Sequence, residues 1–455
     1  MALSSEFTGN YGMNVWWTKY LPGIIREWLE GNPHIRRALG NTSWLLFDRV
    51  LRMLIGVTVG AWVARYLGPT QFGELAYIIA FIAFFQVIAG LEADGFIVRD
   101  LARKQEDAAV ILGTSLRLRI IIGVICWLAA SILMYLFHPD DRQLCLLVII
   151  VGAMLVFQTS DTIDLWFASQ SKSKRTVLAK SVSYFFSNGI RVLLLLGKAP
   201  LIAFAGVICL ESAALAVALI VAYRRFPTDG RWRADMVQAK RLLHLCWPFM
   251  GSGVMITAYM RIDQIMLKEM LGERELGIYA VALTLSQVWN VIPATLVASL
   301  APFVARKKSR GEAEYRDALV ILFRFFAIVA FIAAGLTALA SPWLVGFLYG
   351  AEYRSSAGVL SVLVFVIVFV FQGLAQSLWL VNDNVRIVNL IGTFLAALIS
   401  IVANLILIRK FGIMGAAFSY LLAQGASVVV IPCLLRRDLF ELYKRAFLGL
   451  AKPNE

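Results

Sequence analysis

One pattern governs the chain between residues 43 and 435: stretches of mostly apolar residues separated by short polar turns, twelve times over. The stretches fall at 43–66, 72–92, 111–137, 143–167, 176–197, 201–223, 242–270, 276–302, 317–347, 356–381, 386–409 and 413–435. A helix needs about 20 such residues to cross a bilayer's hydrocarbon core. The composition agrees: 60% hydrophobic residues, 16% charged and a mean hydropathy of +0.75 lie far from the balance of a soluble domain. The expected fold is an all-α polytopic membrane protein with about twelve transmembrane helices.

The net charge of +14 would suggest nucleic acid as a partner in a soluble protein. In a membrane protein the position of each Lys and Arg matters more than the sum, because they collect in cytoplasmic loops. With the N-terminus placed inside, 28 of the 43 basic residues fall in cytoplasmic segments and 8 on the opposite side. The expected topology is multi-pass with both termini cytoplasmic, and no nucleic acid is implied. The five cysteines (Cys126, Cys145, Cys209, Cys246, Cys433) form no CxxC pair, and His34, His138 and His244 are isolated. Neither a metal, a cofactor nor a disulfide framework is indicated. Residues 1–40 do not read as a signal peptide. Trp16, Trp17 and Trp28 alternate there with Lys19, Arg26, Arg36 and Arg37, the composition of an amphipathic helix in the bilayer interface.

A duplication is visible within the chain. LGPTQFG at 67–73 recurs as LGERELG at 271–277, and LARK at 101–104 recurs as VARK at 304–307, at offsets of 204 and 203 residues. Six spans separate the copies, so the repeat is a six-helix unit whose two copies run parallel, and transporters built this way bind substrate between their halves. The expected layout is an interfacial segment at 1–40, an N-terminal six-helix bundle at 41–225, a cytoplasmic linker at 226–241, a C-terminal bundle at 242–435 and a basic tail at 436–455.

Charges inside the spans mark where function resides, since an ionised side chain in lipid costs a few kcal/mol unless it faces a partner or water. The stretch 259–310 holds Arg261 and Asp263, two apart and therefore on different faces of one helix. The structural alternative is a mutually neutralising pair. Asp48, Arg49 and Arg52 sit in the first span, where Asp48 and Arg52 share a face and can pair; Arg191 lies in the fifth and Glu211 in the sixth. Arg117, Arg119, Asp161, Asp164 and Arg324 lie close enough to span ends to snorkel. Leaving out charges within two residues of a span end, seven arginines stand against five carboxylates within the spans. Guanidinium suits phosphate oxygens, so an anionic cargo is favoured over a cationic drug. Asp48, Glu211 and Asp263 are the carboxylates for proton or sodium coupling, if either ion drives the cycle; pairing with neighbouring arginines is an equal alternative for Glu211 and Asp263. No phosphate loop, dinucleotide turn, nucleophile elbow or metal cluster occurs, so a transporter is expected rather than an enzyme.

The segments ARYLGPTQFGELAY (64–77), GFIVRDLAR (95–103), RIDQIMLKEMLGERELGIYAVA (261–282), APFVARKK (301–308) and YGAEYRSSAGVL (349–360) resemble the bacterial polysaccharide flippases of O-antigen (Wzx) type, in the multidrug/oligosaccharidyl-lipid/polysaccharide (MOP) superfamily. The resemblance covers about residues 41–435 and omits the Trp-rich N-terminal segment. It implies two pseudo-symmetric six-helix bundles in a V shape, as in multidrug MATE transporters, in a bacterial inner membrane. The implied cargo is an undecaprenyl-diphosphate-linked oligosaccharide moved from the cytoplasmic to the periplasmic leaflet by alternating access. The family's cationic cavity would be supplied by Arg52, Arg191 and Arg261, with Arg49 beside them. Membrane lipids, a polysaccharide polymerase and a chain-length regulator are the implied partners. A cation-coupled multidrug exporter, a lipid II flippase and a non-transporting scaffold are the alternatives.

Overall fold

The computed structural model describes residues 33–448 apart from 104, 171, 173, 229 and 383–385, with side chains described from Arg49 onward except at Pro302, 381–390 and a few single positions. Much of the expected N-terminal interfacial segment and the side chain of Asp48 therefore lie outside the described residues. Helix α1 (Pro33–Gly90) is broken at Gly68 and followed by α2 (Asp94–Arg103), α3 (Ala108–Phe137), α4 (Arg142–Ser169), α5 (Lys174–Leu196) and α6 (Leu201–Arg224). The second half comprises α7 (Met236–Leu271), α8 (Glu273–Gln287), α9 (Val291–Arg310), α10 (Glu312–Tyr349), α11 (Ser356–Leu363), α12 (Val366–Asn382), α13 (Arg386–Phe411), α14 (Ile413–Leu435) and α15 (Arg437–Leu448).

Among the described residues ten helical stretches are long and apolar enough to cross a membrane. The count of twelve is therefore not reached on that measure, for two physical reasons. At Gly68 a φ of 72° lets one helix end and Pro69 start the next within a single residue, so the first two expected spans form one continuous element. Helix α5 carries Lys174, Arg175, Lys180 and Arg191, which lower its hydropathy below that of its neighbours.

Apolar surface follows the helical period. Along α10, Ile321, Ile328, Ile332, Leu336, Leu339, Trp343 and Phe347 form an exposed stripe, whereas Phe323, Phe326, Ala330 and Ala334 on the other side are fully buried. The stripe suits lipid tails, and the buried side packs against α12 and α15. Because lipid is as apolar as leucine, packing and hydrogen bonds hold the bundle rather than the hydrophobic effect.

The segment between the halves is docked rather than loose. Trp232 donates to the Tyr223 hydroxyl at 2.7 Å, Arg233 N–H reaches the Ala109 carbonyl at 3.3 Å and Asp235 N–H reaches Thr114 at 3.0 Å. Its last residues belong to α7, which starts at Met236 with Asp235 as its N-cap. The C-terminal tail is likewise helical: α15 buries Leu439, Leu442, Tyr443 and Ala446, and Arg324 donates to the carbonyls of Arg445 (2.6 Å) and Ala446 (2.7 Å) at its end. An arginine in a span thus caps a helix. Arg324→Met is expected to detach α15, costing about 2 kcal/mol, read as faster proteolysis of the last described helix.

Candidate functional site: charges within the spans and the junctions between the halves

The duplicated L-G-x4-G motif builds the junction on the side opposite the basic segments. Gly68 and Gly272 adopt nearly the same backbone, φ 72° and ψ 170° against φ 94° and ψ 173°, each just before a new helix. Five residues on, Gly73 and Gly277 face each other. A Cβ on Gly73 would overlap the Glu273 carbonyl, and one on Gly277 would overlap the Pro69 carbonyl. Only glycine permits this backbone contact, which crosses α1 over α8. Tyr353 reinforces it by donating to the Ala64 carbonyl at 2.8 Å.

Beside the glycines lies a polar cluster that the sequence did not reveal. Lys268 is only 8% exposed. Its ammonium sits 2.9 Å from His138 Nε2, 3.6 Å from Glu269 and 4.8 Å from the centre of the Tyr77 ring. Tyr77 in turn donates to Glu269 at 2.9 Å. His138 and Tyr77 belong to the N-terminal half and Lys268 and Glu269 to the C-terminal half, so the cluster ties the halves together. Sequence reading placed His138 alone and gave Lys268 no role.

On the basic side the halves meet differently. Arg49 donates to Thr295 at 3.4 Å, the rings of Phe96 and Phe249 lie 5.2 Å apart, and Arg241 approaches Asp100 at 3.9 Å. Gly253 on α7 lies against Val87 and Glu92.

The predicted site residues separate into distinct environments. Arg191 and Glu211 are one pair at 2.8 Å, with Asn188 accepting from Arg191 at 3.3 Å. Arg191 also lines a cavity of about 300 Å³ inside the N-terminal half, with Gly56, Gly60, Phe72, Met154 and Phe204. Arg52 is half-buried, and its carbonyl accepts from the Tyr184 hydroxyl at 2.6 Å. Asp263 is fully buried and accepts from the Tyr279 hydroxyl and from Gln264 N–H, which places it in the packing of α7 on α8. Arg261, two residues earlier, is half-buried; among the described residues it forms no hydrogen bond and no direct ion pair, although its charge acts on Asp263. Arg261 and Asp263 therefore make no direct ion pair among the described residues, and Asp263 takes its hydrogen bonds from Tyr279 and Gln264 instead.

Two charges taken as snorkelling candidates are instead partnered within the N-terminal half. Arg119, 3% exposed, bonds Asp94 at 2.5 Å in a cavity also lined by Glu92, Asp161 and Gln158, and Asp164 bonds Lys180 at 2.5 Å. Among the described residues no group of His, Cys, Asp and Glu has the arrangement of a metal site.

Comparison with known proteins places this architecture. The family model of polysaccharide biosynthesis proteins matches residues 38–308, and the chain belongs to that family. Its fold is similar to that of an inward-facing multidrug resistance MATE family transporter of the MOP superfamily (TM-score 0.69, 15% identity, 88% of this chain and 99% of that one). It is also similar to the lipid II flippase MurJ in an inward closed conformation (TM-score 0.65, 16% identity, 90% and 93%). A eukaryotic MATE transporter, AtDTX14, shares the fold at a TM-score of 0.58 and 12% identity over 90% of this chain and 99% of that one. A comparison with curated proteins finds no match. The protein is thus a multi-pass membrane protein of polysaccharide biosynthesis with a MOP-superfamily fold.

Proposed function

We propose that this protein is a flippase that carries an undecaprenyl-diphosphate-linked oligosaccharide across a bacterial inner membrane, from the cytoplasmic to the periplasmic leaflet. The observation that carries the reading is Arg261, a half-buried guanidinium in mid-helix with no ion pair among the described residues, in a chain of the polysaccharide biosynthesis family. A cation at that depth is costly unless it has an anion or water to face. The diphosphate of a lipid carrier supplies the anion, and its paired oxygens match the guanidinium fork. Arg52 and Arg49 lie nine and twelve residues before Ala61 on the first span and extend the positive character toward the basic side.

Transport follows as exchange between two closures. The halves part on the basic side to admit the head group, and they part at the glycine junction to release it. The sugars require a wet path, because burying hydroxyls without partners costs about 1–3 kcal/mol each. The polyprenyl tail remains in lipid. Both termini are assigned to the cytoplasm, and a polymerase and a chain-length regulator are the expected downstream partners.

Deletion of the gene in its host tests the reading. The expected result is loss of polymerised surface polysaccharide, accumulation of lipid-linked repeat units on the inner side and unchanged sensitivity to cationic dyes. Normal polysaccharide with heightened dye sensitivity would reject it.

In this reading Glu211 neutralises Arg191, and Asp263 holds α7 to α8. Asp263→Asn is expected to export normally, since an amide still accepts from Tyr279. Loss of export in a variant inserted at normal levels would reassign Asp263 to proton or sodium coupling.

A further inference from the structure

Helix α14 contains a π-helical turn at Ala426–Val430, and a cavity of about 220 Å³ opens beside it within the C-terminal half. Its polar lining comes from three helices: Tyr259 on α7, Gln376 on α12, and Gln424 and Ser427 on α14. Val370 and Leu374 form an apolar wall. Among the described residues no Asp, Glu, Lys, Arg or His lines it. Gln376 and Gln424 are 4% and 7% exposed, and Gln424 Oε1 has no hydrogen-bond partner among the described residues.

We infer that this cavity is a subsite for one neutral, hydroxyl-rich ring of the transported head group; the inference rests on the flippase reading. Buried amides in a membrane bundle are costly, and leucine or alanine would pack the same space without an orphaned acceptor. π-Turns interrupt the regular helix ladder and recur at functional sites. The chemistry of the lining selects the ligand. Two amides and two hydroxyls both donate and accept, as sugar hydroxyls do, while Val370 and Leu374 suit the ring's C–H face. Among the described lining residues a diphosphate would find no cation, and a metal ion or ammonium no carboxylate. The volume holds about seven waters at ~30 Å³ each, or one pyranose ring. Arg261 would hold the diphosphate, and this cavity presents neutral hydrogen-bonding groups to a sugar.

The test uses the full-length protein in lipid nanodiscs, with methyl glucoside, methyl galactoside and N-acetylglucosamine at millimolar concentration as probes in saturation-transfer NMR. Wild type is expected to transfer saturation to the ring C–H protons of at least one probe. The Gln376→Leu/Gln424→Leu double variant should reduce that signal about tenfold, Ser427→Ala should reduce it less, and Arg261→Ala should leave it intact. Absence of any signal in wild type, or equal signal in wild type and both cavity variants, means the cavity holds water only and overturns the inference. Export is measured in parallel. If Arg261→Ala loses export while the inserted cavity variants keep the wild-type rate, the subsite falls and the flippase reading stands. If Arg261→Ala exports normally while sugar binding depends on the amides, the diphosphate-capture reading falls and the sugar site stands.

Discussion

Replacing Arg261 with alanine is expected to lower polysaccharide export at least about tenfold while leaving the amount of inserted protein unchanged. The two halves of that expectation come from different observations. A guanidinium bound to a diphosphate contributes charge-assisted hydrogen bonds of about 1.5–3 kcal/mol, and each 1.4 kcal/mol is about tenfold in occupancy. The structure gives Arg261 no direct ion pair among the described residues, and Asp263, on which its charge acts, keeps its hydrogen bonds from Tyr279 and Gln264 when Arg261 is removed. Arg191→Ala is the informative contrast, because it leaves Glu211 without its 2.8 Å partner inside the bundle. Breaking such a pair destabilises by as much as about 3–5 kcal/mol when fully buried, and by less here because both side chains keep some access to solvent. Arg191→Ala should therefore lose both protein level and export, and Glu211→Gln should restore level in the double variant. Export in Arg261→Ala, normalised to inserted protein, is the decisive quantity. A wild-type rate would remove the guanidinium from the transport path and with it the main argument for an anionic cargo.

The apolar periodicity and the glycine motif made most of the fold legible before any coordinates. Hydropathy located the helices because each must present an apolar stripe to lipid along its whole length, as Ile321 to Phe347 do on α10. The repeated L-G-x4-G turn pointed to a junction because glycine at a fixed spacing reports close backbone approach, and the contact of Gly73 with Gly277 is that approach. Partners were not legible. Lys268 reads in sequence as a charge at the end of a span, four residues before Gly272, yet the turn folds α8 back and leaves its ammonium under the Tyr77 ring, beside a histidine 130 residues away. Arg191 and Glu211 were visible as charges, but nothing in a linear chain states that α5 and α6 bring them together. The amides of the C-terminal cavity were silent for another reason: glutamine carries no charge to violate the apolar pattern, so Gln376 and Gln424 read as ordinary span residues until their burial is seen.

Replacing Gly277 with valine should keep the junction opposite the basic side from closing. The argument is steric and local: the Cβ would overlap the Pro69 carbonyl, which is backbone at the start of a helix and cannot turn away as a side chain would. Relief requires α8 to move off α1, and that movement also separates Lys268 from His138 and Tyr353 from the Ala64 carbonyl. A penalty of about 3 kcal/mol on the closed arrangement shifts the closed-to-open ratio by about a hundredfold. Spin labels at Gln71 and Arg274, both exposed on this side, should report a longer distance population in Gly277→Val, and Gly73→Val should reproduce it because the two glycines are equivalent in the repeat. Gly335→Ala is the matched control, since a Cβ there meets nothing within 4 Å. Export should fall in both junction variants, because a transporter that cannot close one side cannot complete an exchange between sides. Unchanged distances would mean that the helices slide past the added methyls, and the glycine crossing would then serve packing alone.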